Sequence, residues 1–268
     1  PFFLHFAPYA VHTPIMANVR HLDRYQDLDS KEAAYATMIE SVDEALGGIL
    51  EALDRNEIAR NTIVVFTSDN GGLSAHGRGG LPHRHNAPLR SGKGSAYEGG
   101  VRVPWIVRWP DVAVPGSRHE DVVVTQDLFP TILAAASVEP LRNHVIDGID
   151  IRAVLEGDPE QRTVLFHQPH TWGASGPGIE PFSAIRTGSW KLIFFHGDRR
   201  FELYDLDSDP GEATDLALED PERLNLMRDR LARELVSHQA QLSIDRISGL
   251  PVVLPAIIRS ETQSVDES

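Results

Sequence analysis

The sequence predicts an α/β fold: part of a mixed or parallel sheet flanked by helices, followed by a smaller C-terminal antiparallel sheet with a helix packed on it. Three observations carry this expectation. An apolar run, an amphipathic helical stretch and a β-branched run follow one another over residues 2–67, the strand, helix, strand order of a layered α/β domain. Beyond about Gly157 the texture changes to short strands separated by turn residues. A helix with one apolar side then closes that second part.

Taken in order, Phe2 to Phe6 reads as a buried strand and Ala7 to Pro14 as a turn-rich connection. From Lys31 to Arg55, Ala34, Met38, Val42, Leu46, Ile49 and Leu53 recur at three- and four-residue steps, marking one face of a helix that should lie on a sheet. Thr62 to Thr67 is apolar nearly throughout and suits a parallel strand covered on both faces. A long Gly-rich loop, Ser68 to Arg102, leads to a strand at Val103 to Arg108; loops of that length without their own structure are usually functional or disordered. A second helix is expected over Leu128 to Ala136 with Asp127 as its N-cap.

In the second part, strands are expected at Thr163–His167, Phe182–Thr187, Trp190–Phe195 and Phe201–Tyr204, with a hairpin at Gly188-Ser189. A helix should run from Pro221 to about Leu242, presenting Leu224, Met227, Leu231 and Leu235 on one side. The domain division expected is therefore 1–157, 158–245 and a tail, 246–268, whose polar end Arg259 to Ser268 should be loosely held.

Composition narrows the function. The 268 residues hold 39 Asp+Glu against 25 Lys+Arg, a net charge of -14, which repels phosphate backbones and anionic membranes and makes nucleic acid a poor partner. With no cysteine there is no disulfide, thiolate metal site or thiol nucleophile. No run is long enough to span a bilayer; the apolar stretch 251–258 is short and holds two prolines. Because the chain opens on an apolar run, it is expected to start inside a domain.

Three features could carry chemistry. Thr67-Ser68-Asp69-Asn70-Gly71-Gly72 follows the best strand, where ligands of open α/β sheets gather. A carboxylate beside an amide offers hard oxygens to Ca²⁺ or Mg²⁺, although Asp-Asn-Gly-Gly is also ordinary turn chemistry. Two donors cannot complete a Ca²⁺ shell of about 6 to 8 ligands. Residues 71–97 contain no acid but hold Arg78, Arg84, Arg90, Lys93, His76, His83 and His85, either a pocket for an anionic group or a solvated basic loop. His12, in the turn after the first run, could act as a general acid or only bond locally.

Together these residues resemble the sulfatases of the alkaline-phosphatase-like superfamily. The likeness runs through His12-Thr13-Pro14, Phe66 to Gly72, Pro88-Leu89-Arg90-Ser91-Gly92-Lys93-Gly94 and Tyr97-Glu98-Gly99-Gly100-Val101-Arg102. It continues in Asp127 to Thr131, Asp147-Gly148, Ile185 to Leu192 and Glu202 to Leu206, so that it spans Pro1 to about Leu242. The resemblance implies that Asp69 and Asn70 bind a divalent cation, usually Ca²⁺, that Lys93 contacts the sulfate and leaving oxygen, and that His12 protonates or hydrogen-bonds the leaving group. The implied substrate is a small-molecule or carbohydrate sulfate ester, and the implied location periplasmic or secreted. Glu98 and Arg102 also match the family and read as structural, pairing with each other or bonding loop backbone, with Gly99 and Gly100 permitting a tight turn.

Family members use a formylglycine made from the first residue of Cys/Ser-x-Pro-x-Arg. The x-x-Pro-x-Arg matches in this sequence begin at Gly80, Asn86, Val138 and Glu219, none with a hydroxyl or thiol. The nucleophile and the remaining metal ligands are therefore expected in a preceding, N-terminal part of the same protein. Two alternatives stay open: a phosphate or phosphonate monoester as the substrate, or an inactive truncated fragment.

Overall fold

The computed structural model describes residues 1–73, 83–158, 161–173 and 176–253; the expected polar tail at 259–268, and His76 and Arg78 of the basic loop, lie outside them. Helix α1, Ser30–Arg55, starts at Asp29, whose carboxylate accepts from the N–H groups of Lys31 and Glu32 at 2.9 and 3.4 Å, satisfying two otherwise unpaired donors. Ala34, Met38 and Leu53 of its apolar stripe are buried. The partners of α1 are chiefly the segment before it and the short 3-10 turn Ala59–Asn61 after it. Asn18 N–H donates to Thr37 Oγ1 (2.9 Å), Asn18 Nδ2 to Ser41 Oγ (2.9 Å), and Arg20 pairs with Glu44 (2.9 Å). An amphipathic stripe specifies a buried face but not what buries it, so the expectation of a sheet beneath α1 went further than the pattern allowed.

Strand β1, Val64–Thr67, pairs with β2, Trp105–Arg108, in register Val64↔Arg108 to Thr67↔Trp105. The pair is antiparallel, where the apolar run had suited a parallel strand; such a run reports cover on both faces, not strand direction. Residues 2–6 form no strand: Phe2, Phe3, Leu4 and Phe6 are 51–74% exposed. A strand needs a neighbour for its N–H and C=O groups, and no described strand lies beside them.

Inside the long loop, Glu98–Val101 forms a single helical turn, α2. Helix α3, Leu128–Ala135, follows a 3-10 turn at Thr125–Asp127. Asp127 precedes α3 as expected but makes no cap bond to it. Its backbone is already helical (φ -69, ψ -20), so the side chain does not reach forward as an extended N-cap residue does. Fully buried, it accepts instead from Val124 N–H (2.8 Å), Ile149 N–H (2.9 Å) and Arg162 Nη1 (2.7 and 2.9 Å). Helix α4 is Arg152–Glu156.

Strands β3, Thr163–Gln168, β4, Phe182–Thr187, β5, Trp190–Phe195, and β6, Phe201–Asp205, make an antiparallel meander in that order. Gly188 turns the β4–β5 hairpin at φ +59, a conformation that costs glycine little. Helix α5, Pro221–Ser237, is capped by Asp220, which accepts from Arg223 N–H at 2.8 Å. It ends earlier than expected because Gln239 adopts φ +51, and the N–H groups of Gln239 and Ala240 fold back to the carbonyls of Val236 and Leu235, a Schellman termination.

The sheet is covered on both faces. Leu192 and Phe194 of β5 join Ile185, Leu203, Met227, Leu231 and Leu235 under α5. Ile193 and Phe195 point the other way and pack with Ala184, Tyr204 and, from the long loop, Ala96 and Tyr97. The unbroken apolar run Leu192 to Phe195 follows from this two-sided burial.

The end of β5 carries a titrating group. His196, 2% exposed, has Nδ1 2.7 Å from Ser243 Oγ and Nε2 2.8 Å from Ser183 Oγ. Burial, with His167 close by, pushes its pKa down to about 4. A base depressed below its ordinary value of roughly 6.5 binds fewer protons folded than unfolded, so its contribution is complete above that pH and is lost as pH falls toward about 4. The urea midpoint is expected to drop between pH 7 and 4.5, and by less in His196→Gln; equal slopes for the two proteins would contradict this.

Candidate functional site

The residues following β1 are held on the backbone of the long loop. Ser68 Oγ donates to the Asn70 carbonyl at 2.9 Å, shaping the turn that leaves Asp69 exposed and Asn70 half-buried. Gly71 N–H donates to Gly100 O at 2.9 Å, and a Cβ on Gly71 would stand 1.8 Å from Gly99 O, so only glycine permits this approach. Gly72 O accepts from Lys93 N–H (3.0 Å) and from Asn86 Nδ2 (2.8 Å), which also donates to Ser91 O (2.8 Å). Backbone bonds thus sew the Asp69-Asn70 turn to the segment carrying Lys93. The Gly99-Gly100 pair serves close packing: Cβ atoms there would meet Arg90 O and Ser95 O, each at 2.3 Å.

A buried charge cluster fixes the other side of that segment. Glu98, 1% exposed, pairs with Lys191 Nζ of β5 at 2.8 Å and with Arg186 of β4 at 3.4 Å. Glu212 Oε2 accepts from Glu98 N–H at 2.6 Å, and its Oε1 lies 2.9 Å from Lys191 Nζ as an ion pair. Two carboxylates and two cations balance, the only tolerable way to bury them. Burial raises the Glu212 pKa, with Lys191 opposing the rise. The expected pairing of Glu98 with Arg102 is not formed: Arg102 is exposed, and its backbone N–H donates to Glu98 O at 2.7 Å. Glu98 reaches instead into the small sheet, where a lysine at the centre of an apolar strand needs a counter-charge.

The basic loop divides into separate duties. Arg90 Nη1 donates to Tyr204 Oη (3.2 Å) and Glu212 O (2.8 Å), with its guanidinium 3.9 Å from the Tyr97 ring centroid. Burial opposes its charge, but Tyr97, Tyr204 and Glu202 outweigh that and raise its pKa. His85 stacks on Tyr35 and pairs with Glu32 of α1 at 2.5 Å, and His83 stacks on His85. Arg84 is exposed. Lys93 stands apart, with Nζ 5.9 Å from the ring centroid of Trp172. Among the described residues, most cations of the loop are therefore bound to groups of the fold rather than gathered in one anion pocket.

His12 is exposed; its Nδ1 lies 2.8 Å from Thr13 O, and its ring 5.1 Å from that of Tyr9. No hydrogen bond or ring contact among the described residues joins it to Asp69, Asn70 or Lys93. A carbonyl only accepts, so Nδ1 carries the proton of the neutral ring and Nε2 donates only in the imidazolium.

A cleft of about 1440 Å³ opens against Asp69 and Asn70, lined also by Gly94, Ser95, Arg102 and Arg186. Among the described residues no group of three or more His, Asp or Glu stands ready to hold a metal. Asp69 and Asn70 offer two hard oxygens, a donor set that fits part of a Ca²⁺ shell. Sequence reasoning missed Trp172, Lys191 and Glu212. A lone lysine within Trp190 to Phe195 was a signal for the second; the others lie in stretches without periodicity.

An α/β core whose strand ends in a carboxylate-amide turn, joined to an antiparallel sheet with its own helix, is consistent with the alkaline-phosphatase-like class of folds. The crystal structure of Ps i-CgsB in complex with k-i-k-neocarrahexaose superposes with a TM-score of 0.72 at 27% identity, covering 90% of this chain and 51% of that one. The Sulfatase family model matches residues 1–138, and that of the N-sulphoglucosamine sulphohydrolase C-terminal region matches 92–241. The chain belongs to the sulfatase family. A sulfatase of Formosa agariphila is 33% identical over 274 residues, 91% of this chain and 48% of that protein. Human arylsulfatase A is 33% identical over 236 residues, 79% of this chain and 43% of the enzyme. The chain thus spans less than half the length of these two relatives.

Proposed function

We propose that this chain forms the latter part of a sulfatase, supplying part of the divalent-metal site and of the sulfate clamp to an enzyme that hydrolyses a sulfate ester. Residues 1–157 are then the latter part of the catalytic α/β domain and 158–245 a small C-terminal domain. The observation that carries the reading is the Lys93 N–H to Gly72 O bond, which ties the turn of Asp69 and Asn70 to the segment of Lys93, whose neighbours Gly94 and Ser95 line the cleft. The names of the relatives support sulfate esters as the substrate class, and a carbohydrate ester suits the oligosaccharide in the complex of Ps i-CgsB.

Asp69 and Asn70 would hold the cation, Ca²⁺ by the character of their oxygens, which when bound supplies positive charge to the sulfate oxygens. Lys93, a compact point charge, binds a sulfate oxygen and steadies charge on the leaving oxygen. His12, as imidazolium, gives the Nε2 proton to the departing alkoxide or phenoxide. The nucleophile, a formylglycine hydrate in this reading, comes from outside these 268 residues, as do the remaining metal ligands.

The test joins this chain to the nucleophile-bearing region and compares para-nitrophenyl sulfate with para-nitrophenyl phosphate in the presence of Ca²⁺. Faster turnover of the sulfate, lost on chelation, is expected. Faster turnover of the phosphate would replace this reading with a phosphatase of the same fold.

A further inference from the structure

The loop between β3 and β4 crosses to the Lys93 segment and leaves a tryptophan beside it. Pro177 O accepts from Ser91 Oγ (2.8 Å) and Ser95 Oγ (2.9 Å), while Gly178 O accepts from Ala96 N–H (3.0 Å). Gly178, at φ +69, lies so close that a Cβ would stand 2.6 Å from both Ser95 Oγ and the Tyr97 ring. With that end of the loop fastened, Trp172 rests on Gly94: a Cβ there would be 2.3 Å from Cε3 and 2.7 Å from Cζ3 of the indole. Gly94 also needs its φ of +84, so two constraints reserve the position for glycine and the space above it for the indole.

Trp172 nevertheless remains 37% exposed, and its Nε1–H donates to no group among the described residues. A tryptophan whose purpose was only to cover Gly94 would bury its ring and give its N–H a partner. This one keeps part of its indole open and has the ammonium of Lys93, the group that the proposed function sets against the sulfate, over the ring at 5.9 Å from its centroid. A ring carrying a sulfate held at Lys93 would project past the indole.

We propose that Trp172 is a substrate-positioning residue, a stacking wall for the ring, aryl or sugar, that bears the sulfate. This rests on the sulfatase reading of Lys93 and deepens it by assigning the alcohol half of the ester to the β3–β4 loop. Aromatic stacking contributes about tenfold in affinity, and it acts on the ring alone.

The enzyme completed with its nucleophile region is assayed as wild type, Trp172→Ala and Trp172→Phe, with para-nitrophenyl sulfate, a monosaccharide sulfate, and inorganic sulfate as competitive inhibitor. Trp172→Ala is expected to raise KM about tenfold for whichever ring it stacks, with kcat and the sulfate inhibition constant near wild type, and Trp172→Phe to restore most of the loss. The two esters show whether the wall takes aryl rings, sugar rings or both. A parallel loss of inorganic sulfate binding would mean that Trp172 acts only through Lys93, and unchanged KM for both esters would mean no contact; either overturns the proposal. Should the wild type hydrolyse no sulfate ester, the sulfatase reading fails separately. The share of tryptophan quenching by para-nitrophenyl sulfate that belongs to Trp172 then still decides: equal quenching in wild type and Trp172→Phe contradicts the stacking wall, and a smaller quench in Trp172→Phe supports it, Trp105 and Trp109 of the cleft contributing equally to both.

Discussion

Replacing Lys191 with alanine is expected to destabilise the fold by about 3–5 kcal/mol, the cost of leaving buried charge without its partner. Lys191 is fully buried between Glu98 at 2.8 Å and Glu212 at 2.9 Å, themselves almost wholly buried. Water cannot reach the two carboxylates to replace the ammonium, and Arg186 at 3.4 Å from Glu98 offsets only one of them. Against a typical domain stability of about 5–15 kcal/mol the loss is large. Urea unfolding measures it, and Lys191→Met with Arg186→Met, Glu98→Gln and Glu212→Gln should recover much of it by removing all four charges together. A shift below about 1 kcal/mol for Lys191→Ala would show the cluster to be better hydrated than its burial implies. The consequence extends to function, because Glu98 opens the α2 turn whose Gly99 and Gly100 backbone supports Gly71. Loosening a bolt in the small sheet should therefore reach the Asp69-Asn70 turn.

Lys93→Ala should lower kcat for an aryl sulfate about a hundred- to a thousand-fold in the enzyme completed with its nucleophile region, the usual effect of removing one preorganised charge from a reacting oxyanion. The Lys93 segment is positioned by its backbone, through Gly72 O at 3.0 Å, so side-chain truncation leaves the turn in place and isolates the charge. Lys93→Arg tests geometry at constant charge, since a planar fork does not replace a point charge. Asp69→Ala should lose comparable activity, and high Ca²⁺ should restore it in part, which it will not do for Lys93→Ala. A Lys93→Ala enzyme within about threefold of wild type would remove this lysine from the chemistry.

Much of this was legible in local pattern. The four strands of the small sheet and the start of α5 follow from β-branched and aromatic runs and from Asp220-Pro221, which encodes a helix N-terminus by itself. The candidate turn was legible because Asp69 and Asn70 follow a strong strand. What the sequence did not reveal was long-range. Glu98 and Lys191 are 93 positions apart, and no local rule tells a buried glutamate to seek a lysine across that distance. The exposure of Phe2 to Phe6 escaped prediction for the same reason, since an apolar run is a strand only when something lies beside it. His12 reads as a catalytic candidate by resemblance, while its described contacts are local.

Ca²⁺ titration calorimetry decides whether Asp69 and Asn70 are part of a cation site completed by residues outside this chain. The 268-residue chain alone is expected to show no tight binding. The same chain joined to the nucleophile-bearing region should bind Ca²⁺ tightly and lose that binding in Asp69→Ala. Tight binding by the chain alone, or by the completed protein with Asp69→Ala, would contradict the account.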